Sequence, residues 1–390
     1  MPATPRPAPL ANGLVYISPD MPGFSRVKHG ANFRYRDARG RPLSDAEEIA
    51  RIRHLAIPPA YQSVWICPLA NGHLQATGLD ARGRKQYRYH ADWRLLKDQT
   101  KFERLEAFGL ALPRIRARVA RDLQPRRGAP LQRTLVLATL VRLLDTTFLR
   151  VGNEEYANTN GSYGLTTLRN RHADLRGTAL TLRFRGKSGV LHETKVDDPR
   201  VARVVRRCQQ LPGQELFQYE DEDGTPRSLS STDVNDYLRE AAATRDGQGD
   251  FTAKDFRTWH GTVQALELTR LACSNDASDA ARYSAKEILG AVAAQLGNTP
   301  AVCKKAYVHP AVLSLGSTLA SDVGAMNDIW KEIAGDAAGT RRLHAAEARL
   351  LAFLKRQRKL QPKVRQPKAA ASADAAPKSR RKASPARSIA

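Results

Sequence analysis

A change of hydrophobic period near residue 100 constrains this chain more than any other feature of it. Before that point apolar and polar residues alternate in short runs broken by turn signals, and after it apolar residues recur at spacings of three and four. Those are the periods of strands and of helices. In Asn32-Phe33-Arg34-Tyr35-Arg36 the aromatics fall on one face and the arginines on the other, ahead of the turn-like Asp37-Ala38-Arg39-Gly40. Ser44-Asp45-Ala46-Glu47 reads as a capping box opening a helix through Ile49, Ile52 and Leu55, which Pro58-Pro59 stops. Val64 to Cys67, Gly72 to Thr77 and Lys85 to Tyr89 read as further strands.

Beyond residue 101 the helical period runs from Leu131 to Leu149 and again around 201–210, 232–243, 262–273 and 278–296. One segment breaks it. Leu180 to Arg185 alternates, passes through Gly186-Lys187-Ser188-Gly189, and resumes alternation from Val190 to Val196, which predicts a β-hairpin with a lysine at its tip. The expected fold is α+β: a flexible N-terminus (1–12), a small strand-rich domain (13–100), a mainly α-helical domain with a β-hairpin (101–365), and a tail (366–390). There is no tandem repeat.

Charge narrows the partners. Sixty-three Lys and Arg against 39 Asp and Glu give a net +24, of which the Ala-, Pro- and Ser-rich tail carries +5, leaving +19 on residues 1–365. The tail has too few large apolar groups to offset ordering entropy and is expected to be disordered. The body remains basic without it, so a polyanion is the expected partner. Cys67, Cys208, Cys273 and Cys303 lie too far apart in sequence for a zinc knuckle or redox pair and are expected to be reduced core thiols. No apolar run approaches the roughly 20 residues that span a bilayer, and MPATPRPAPLANG lacks the apolar stretch of a secretory signal. A cytoplasmic, nucleoid-associated protein without membrane contact is expected.

Two simple chemistries fail on spacing. Gly186-Lys187-Ser188 looks like the end of a phosphate-binding loop, but Thr181 stands where its first glycine would have to be. The nine histidines form no His-Glu-x-x-His grouping and the acidic residues no spaced cluster, so neither metal nor cofactor is expected.

What remains is a set of cations and one tyrosine. Arg150 stands in Arg-Val-Gly-Asn-Glu-Glu-Tyr, Lys187 on the hairpin, Lys254 and Arg257 in Lys-Asp-Phe-Arg-Thr-Trp-His-Gly-Thr, and Tyr307 in Leu-Gly-Asn-Thr-Pro-Ala-Val-Cys-Lys-Lys-Ala-Tyr-Val-His-Pro. In these motifs and their order, over nearly all of residues 13 to about 350, the chain resembles the type IB DNA topoisomerases, in particular their short bacterial and poxvirus-like branch.

The chemistry such a set supports can be stated independently. Attack on a phosphodiester builds negative charge on a five-coordinate phosphorus, which fixed guanidinium donors stabilise without a metal; Arg150 and Arg257 suit that role. The nucleophile must form a covalent phosphoester, and the phenol of Tyr307 is one whose ionisation nearby cations favour. The departing 5′-oxygen needs a proton. By resemblance Lys187 is the general acid, and Lys254, at a position tyrosine recombinases usually fill with histidine, supports phosphate contact or proton transfer. Gly152 and Tyr156 match the pattern after the first arginine, where they would seat the phosphate backbone and the arginine. Asn298 stands where viral and eukaryotic members carry histidine, and it can donate only a neutral hydrogen bond to a phosphate oxygen.

Each residue also has a plainer reading. Tyr307 could close a helix opened by Thr299 and Pro300, Lys187 could protect a hairpin edge, and His260 and His309 are expected to be structural. Gln86, Tyr87, Arg88 and Tyr89 interleave aromatics with cations, and the family uses this region to contact DNA, with Gln86 suited to an adenine edge.

The resemblance implies a monomeric two-domain clamp that relaxes supercoiled duplex DNA through a 3′-phosphotyrosyl intermediate, without ATP or metal. A site-specific tyrosine recombinase shares the Arg, Lys, Arg, Tyr chemistry but works as a tetramer. A non-catalytic architectural DNA-binding protein would need the charge alone.

Overall fold

The computed structural model describes residues 8–10, 13–30, 32–81, 83, 85–124, 129–244, 249–274, 284–321, 323–340 and 342–360. The expected basic tail lies outside them. So do residues 1–7, 11 and 12 of the segment expected to be flexible. In its described part β1 (Ala8–Pro9) pairs antiparallel with β2 (Val15–Tyr16), and the Leu10 amide donates to the Leu14 carbonyl.

β3 (Phe24–His29), β4 (Asn32–Arg36), α1 (Ala46–His54), β5 (Gln62–Ile66), β6 (Leu74–Leu79) and β7 (Lys85–Tyr89) build the N-terminal domain, whose five-stranded antiparallel sheet has the order β4-β3-β5-β6-β7. The helix cap is Asp45 and not Ser44. The Asp45 carboxylate accepts from the Glu47 and Glu48 amides at 2.9 and 3.2 Å, so α1 begins one residue later than a Ser44 cap would start it. Ile52 of α1 packs on Val64, Ile66 and Ala76 of the sheet, a core separate from the large one below.

The period change falls ten residues before 100. α2 (Ala91–Asp122) starts after His90, whose Nδ1 accepts from the Asp92 amide, and runs through that position. The first turns of α2 are polar from Lys97 to Lys101, so they carry little periodic signal.

α3 (Arg133–Thr147), α4 (Glu154–Asn160), β8 (Ala173–Arg176), β9 (Ala179–Arg185), β10 (Leu191–Asp197), α5 (Pro199–Cys208), β11 (Gln218–Glu220), β12 (Pro226–Ser228) and α6 (Ser231–Ala242) follow. The chain continues with α7 (Ala253–Ser274), α8 (Ala285–Leu296), α9 (Pro300–Ala306), α10 (Pro310–Ser321), α11 (Val323–Ala338) and α12 (Ala345–Leu360). The predicted hairpin is β9–β10, with β8 as a third strand.

α3 is the axis of the helical domain, buried from Leu135 to Leu144 except at Arg142. α2 and α7 cross closely, for a Cβ on Gly109 would lie 2.3 Å from the Trp259 ring. Behind this crossing Arg116 of α2 pairs with Asp145 of α3 at 2.8 Å and Glu347 of α12 at 2.7 Å, while His260 and Trp259 of α7 reach the same two carboxylates. Burial opposes ionisation of both carboxylates. His260 and Arg116 on Asp145, and Arg116 on Glu347, outweigh it and hold them below the usual carboxylate range. Cys67, Cys208 and Cys303 are buried free thiols, and the Cys273 side chain lies outside the described residues. Among the described residues no helix is long and apolar enough to cross a membrane.

Candidate active site

Arg150 is presented by a loop that two glycines allow to pack. α3 ends at Phe148, in the left-handed region at φ 59°, and the next residues run beside 164–166: the Leu165 amide donates to the Arg150 carbonyl at 2.9 Å and the Thr166 amide to the Val151 carbonyl at 2.7 Å. Gly152 adopts φ 112°, which disfavours any side chain. A Cβ on Gly164 would lie 2.6 Å from both Cα and N of Gly152 and 2.8 Å from the Arg150 carbonyl. The loop that carries Arg150 therefore lies against residues 164–166 only with glycine at both 152 and 164.

The second arginine lies on α7, and the tyrosine, at the end of α9, packs against that helix. Arg257 is 3% exposed; it donates through Nη2 to the Leu296 carbonyl at 2.7 Å and through Nη1 to the Phe148 carbonyl. Its Nε is buried and has no partner among the described residues. One turn on, Gly261 gives Tyr307 room, since a Cβ there would sit 3.1 Å from the Tyr307 carbonyl. Thr262 fixes that carbonyl by donating to it at 3.1 Å. Thr299 caps α9 with Pro300 at its first turn, and Tyr307 ends that helix, as the plainer reading had it. The helix end also brings the Tyr307 ring under Arg257, whose Cζ stands 5.0 Å from the ring centroid.

Electrostatics favour an anion here. Burial works against ionising the Tyr307 phenol, but Arg257, Arg150 and Lys254 together outweigh it and pull the phenol below its ordinary pKa. Arg150 is itself pushed down, first by burial and then by Arg257, a repulsion that an anion between the two would relieve.

Asn298 meets Arg150 through its oxygen. Its Oδ1 accepts from Arg150 Nη2, because that is the atom an amide can offer a guanidinium, so Asn298 holds the arginine's head. It does not line the cavity between these groups. The hairpin brings Lys187 there instead. Lys187 is exposed in the turn Lys187–Gly189, which closes with the Gly186 amide donating to the Val190 carbonyl at 2.7 Å and with Ser188 left-handed at φ 64°.

The resulting cavity, of about 540 Å³, is lined by Arg150, Gly152, Tyr156, Lys187, Lys254, Arg257 and Tyr307. Seven residues named from the sequence therefore meet. Arg185, Asn153 and Tyr163 line it too and were missed. Arg185 had a signal, since period-2 geometry places it on the same face as Lys187. No Asp or Glu lines the cavity, and among the described residues no group of three His, Cys, Asp or Glu is placed to hold a metal ion.

The β7 residues do not form one surface. Strand alternation puts Tyr87 and Tyr89 outward, 42% and 37% exposed and stacked at 6.1 Å, while Gln86 and Arg88 face the other way. Gln86 Nε2 donates to Asp80 at 2.9 Å and Arg88 Nη2 to the Ala56 carbonyl at 2.8 Å. The bond to Asp80 leaves Gln86 its second N–H and its Oε1.

The chain matches the family model of the eukaryotic DNA topoisomerase I catalytic core over residues 90–323 and that of the bacterial DNA topoisomerase IB N-terminal domain over 32–80. It is 31% identical over 303 residues to the DNA topoisomerase 1B of Acanthamoeba polyphaga mimivirus, covering 76% of this chain and 88% of that one. With the DNA topoisomerase 1B of Vaccinia virus (strain Copenhagen) it shares 24% identity over 293 residues, 70% of this chain and 84% of the relative.

Proposed function

This chain belongs to the DNA topoisomerase IB family, and from that premise we propose that it relaxes supercoiled duplex DNA through a covalent ester on Tyr307, without ATP or metal. The observation that carries the reading is the Tyr307 phenol beneath Arg257 in a cavity lined by cations and no carboxylate.

The Tyr307 oxygen gives up its proton to solvent and attacks phosphorus as the bond to the 5′-oxygen breaks. Arg150 and Arg257, with the free Nε of the latter, supply donors to the non-bridging oxygens. Lys187 protonates the departing 5′-oxygen, and Lys254, exposed in the first turn of α7, contacts phosphate. The 3′-phosphotyrosyl ester conserves the energy of the broken bond, so the released end rotates and then attacks the ester to restore the strand. The strand-rich domain, with Tyr87 and Tyr89 outward, forms the second half of a monomeric clamp on DNA, and the net +24 draws the duplex in.

The test is plasmid relaxation in EDTA without ATP, wild type beside Tyr307→Phe. Relaxation by the wild type and a denaturant-trapped DNA adduct that Tyr307→Phe lacks are expected. An adduct formed by Tyr307→Phe would remove the nucleophile, and a metal requirement would remove the mechanism. A tetramer acting only at a cognate site would return the recombinase.

A further inference from the structure

His192, on β10, has no role in the mechanism above, yet its ring lies at the junction of the segments that supply that mechanism. It stands opposite Phe184 in the hairpin and stacks on it, centroids 5.2 Å apart and planes 19° from parallel. Two glycines make room for its edges. A Cβ on Gly186, the residue before Lys187, would sit 2.6 Å from His192 Cδ2, and one on Gly297, the residue before Asn298, would sit 2.5 Å from His192 Cε1. Contacts that short do not occur between real carbon atoms, so both positions must be bare for the ring to fit. Gly297 also has a left-handed φ of 58° that closes α8, but Gly186 is extended at φ −92° and needs no glycine for its backbone. The ring alone explains the notch at Gly186.

Burial, then the charges of Arg150 and Arg257, disfavour protonation of this imidazole. Among the described residues neither of its nitrogens makes a hydrogen bond, so shape is what it contributes.

We propose that His192 is a positioning residue: its ring, wedged between Gly186 and Gly297, sets the Lys187 hairpin against the turn at Gly297. The inference rests on the proposed cleavage reaction and on Lys187 as its acid. If the ring is lost or displaced, Lys187 no longer meets the departing oxygen, whereas Tyr307, Arg257 on α7 and Arg150 on the loop after α3 keep their places.

The test compares two cleavable strands in single turnover, one with the natural 5′-oxygen at the scissile phosphate and one with 5′-sulfur. An alkyl thiol has a pKa of about 8.5 and leaves without a proton. His192→Ala is expected to cut the oxygen strand about 100-fold more slowly, the cost of misplacing a reacting group by about 1 Å, and the sulfur strand near the wild-type rate, as Lys187→Ala should. Gly186→Ala, whose methyl would strike the ring, is expected to show the same pattern and, combined with His192→Ala, no further loss. It also carries the test should His192→Ala fail to fold. Equal slowing on both strands, or an undiminished rate on the oxygen strand, overturns the proposal. A wild type that forms no adduct with either strand overturns the cleavage reading itself, a different result.

Discussion

Replacing Gly164 with alanine tests whether the seating of Arg150 sets the rate of strand cleavage. At φ −146° and ψ 179° the backbone accepts alanine without strain, so the effect comes from where the methyl lands. It lands 2.6 Å from Cα and N of Gly152 and 2.8 Å from the Arg150 carbonyl oxygen. Carbon contacts relax at about 3.5 Å, so the Arg150 strand must retreat by about 0.9 Å. The obstacle is main chain and cannot rotate aside. Overpacking of this kind costs about 1–3 kcal/mol of stability. A shift near 1 Å in a group holding the reacting phosphate costs about 100-fold in rate, or about 2.7 kcal/mol of barrier. The assay is single-turnover formation of the covalent adduct with enzyme in excess, with thermal melting to follow the fold. Gly290→Ala in α8, whose methyl meets nothing within 4 Å, is the control and should keep its rate. A folded Gly164→Ala protein that forms adduct as fast as this control would refute the reasoning.

Arg257→Lys keeps the charge but cannot satisfy the Phe148 and Leu296 carbonyls together, so adduct formation should fall about 100- to 1000-fold; a near-native rate in single turnover would show that charge alone suffices. His309 is pushed down to about 4 by burial, and its Nδ1 accepts from the Ala311 amide at 3.1 Å, a bond that only an unprotonated nitrogen can accept. The unfolded chain therefore binds the extra proton between about pH 4 and 6.5, and stability should rise across that window by roughly 3 kcal/mol. Denaturant melts of His309→Asn, which keeps an acceptor and loses the titration, should give a flatter curve, and an equally steep one would contradict this. Glu347 faces donors only, from Arg116 at 2.7 and 2.8 Å, His344 at 3.0 Å and Trp259 at 3.2 Å. Glu347→Gln sets an amide N–H against one of them, and at pH 7 should cost about 3–5 kcal/mol. The folded carboxyl titrates below its unfolded value near 4.3, so the deficit should shrink as pH falls below that value; melts of equal midpoint at pH 7 would exclude the network as a support of α7.

Much of the fold was legible where one period ran uninterrupted. β4 and β7 lie where alternation put them, and α3, apolar on nearly every side, is the buried axis. Legibility failed where polar residues diluted the period. The start of α2 was hidden by Lys97 to Lys101, and α7 begins at Ala253, nine residues before its apolar repeat stands out, because Lys254, Asp255 and Arg257 occupy its first turns. Those first turns hold two of the catalytic candidates, so the motif most telling of chemistry was the one least telling of helix.

The same conflict governs the site. Residue types that stabilise a phosphate can be recognised in a string, and Arg150, Lys187, Lys254, Arg257 and Tyr307 line one cavity. What holds them leaves almost no trace in composition. The Phe148 and Leu296 carbonyls that fix Arg257 are main-chain atoms, which every residue has, and the close approach of Gly152 and Gly164 is visible only once both loops are side by side. Asn298 shows the difference most clearly: the acceptor it gives to the Arg150 guanidinium is visible only once the two chain segments, 148 residues apart, are side by side. Sequence names the groups that could touch a substrate; which groups touch each other first is decided by packing, and that choice sets which donors, such as Arg257 Nε, remain without a partner among the described residues.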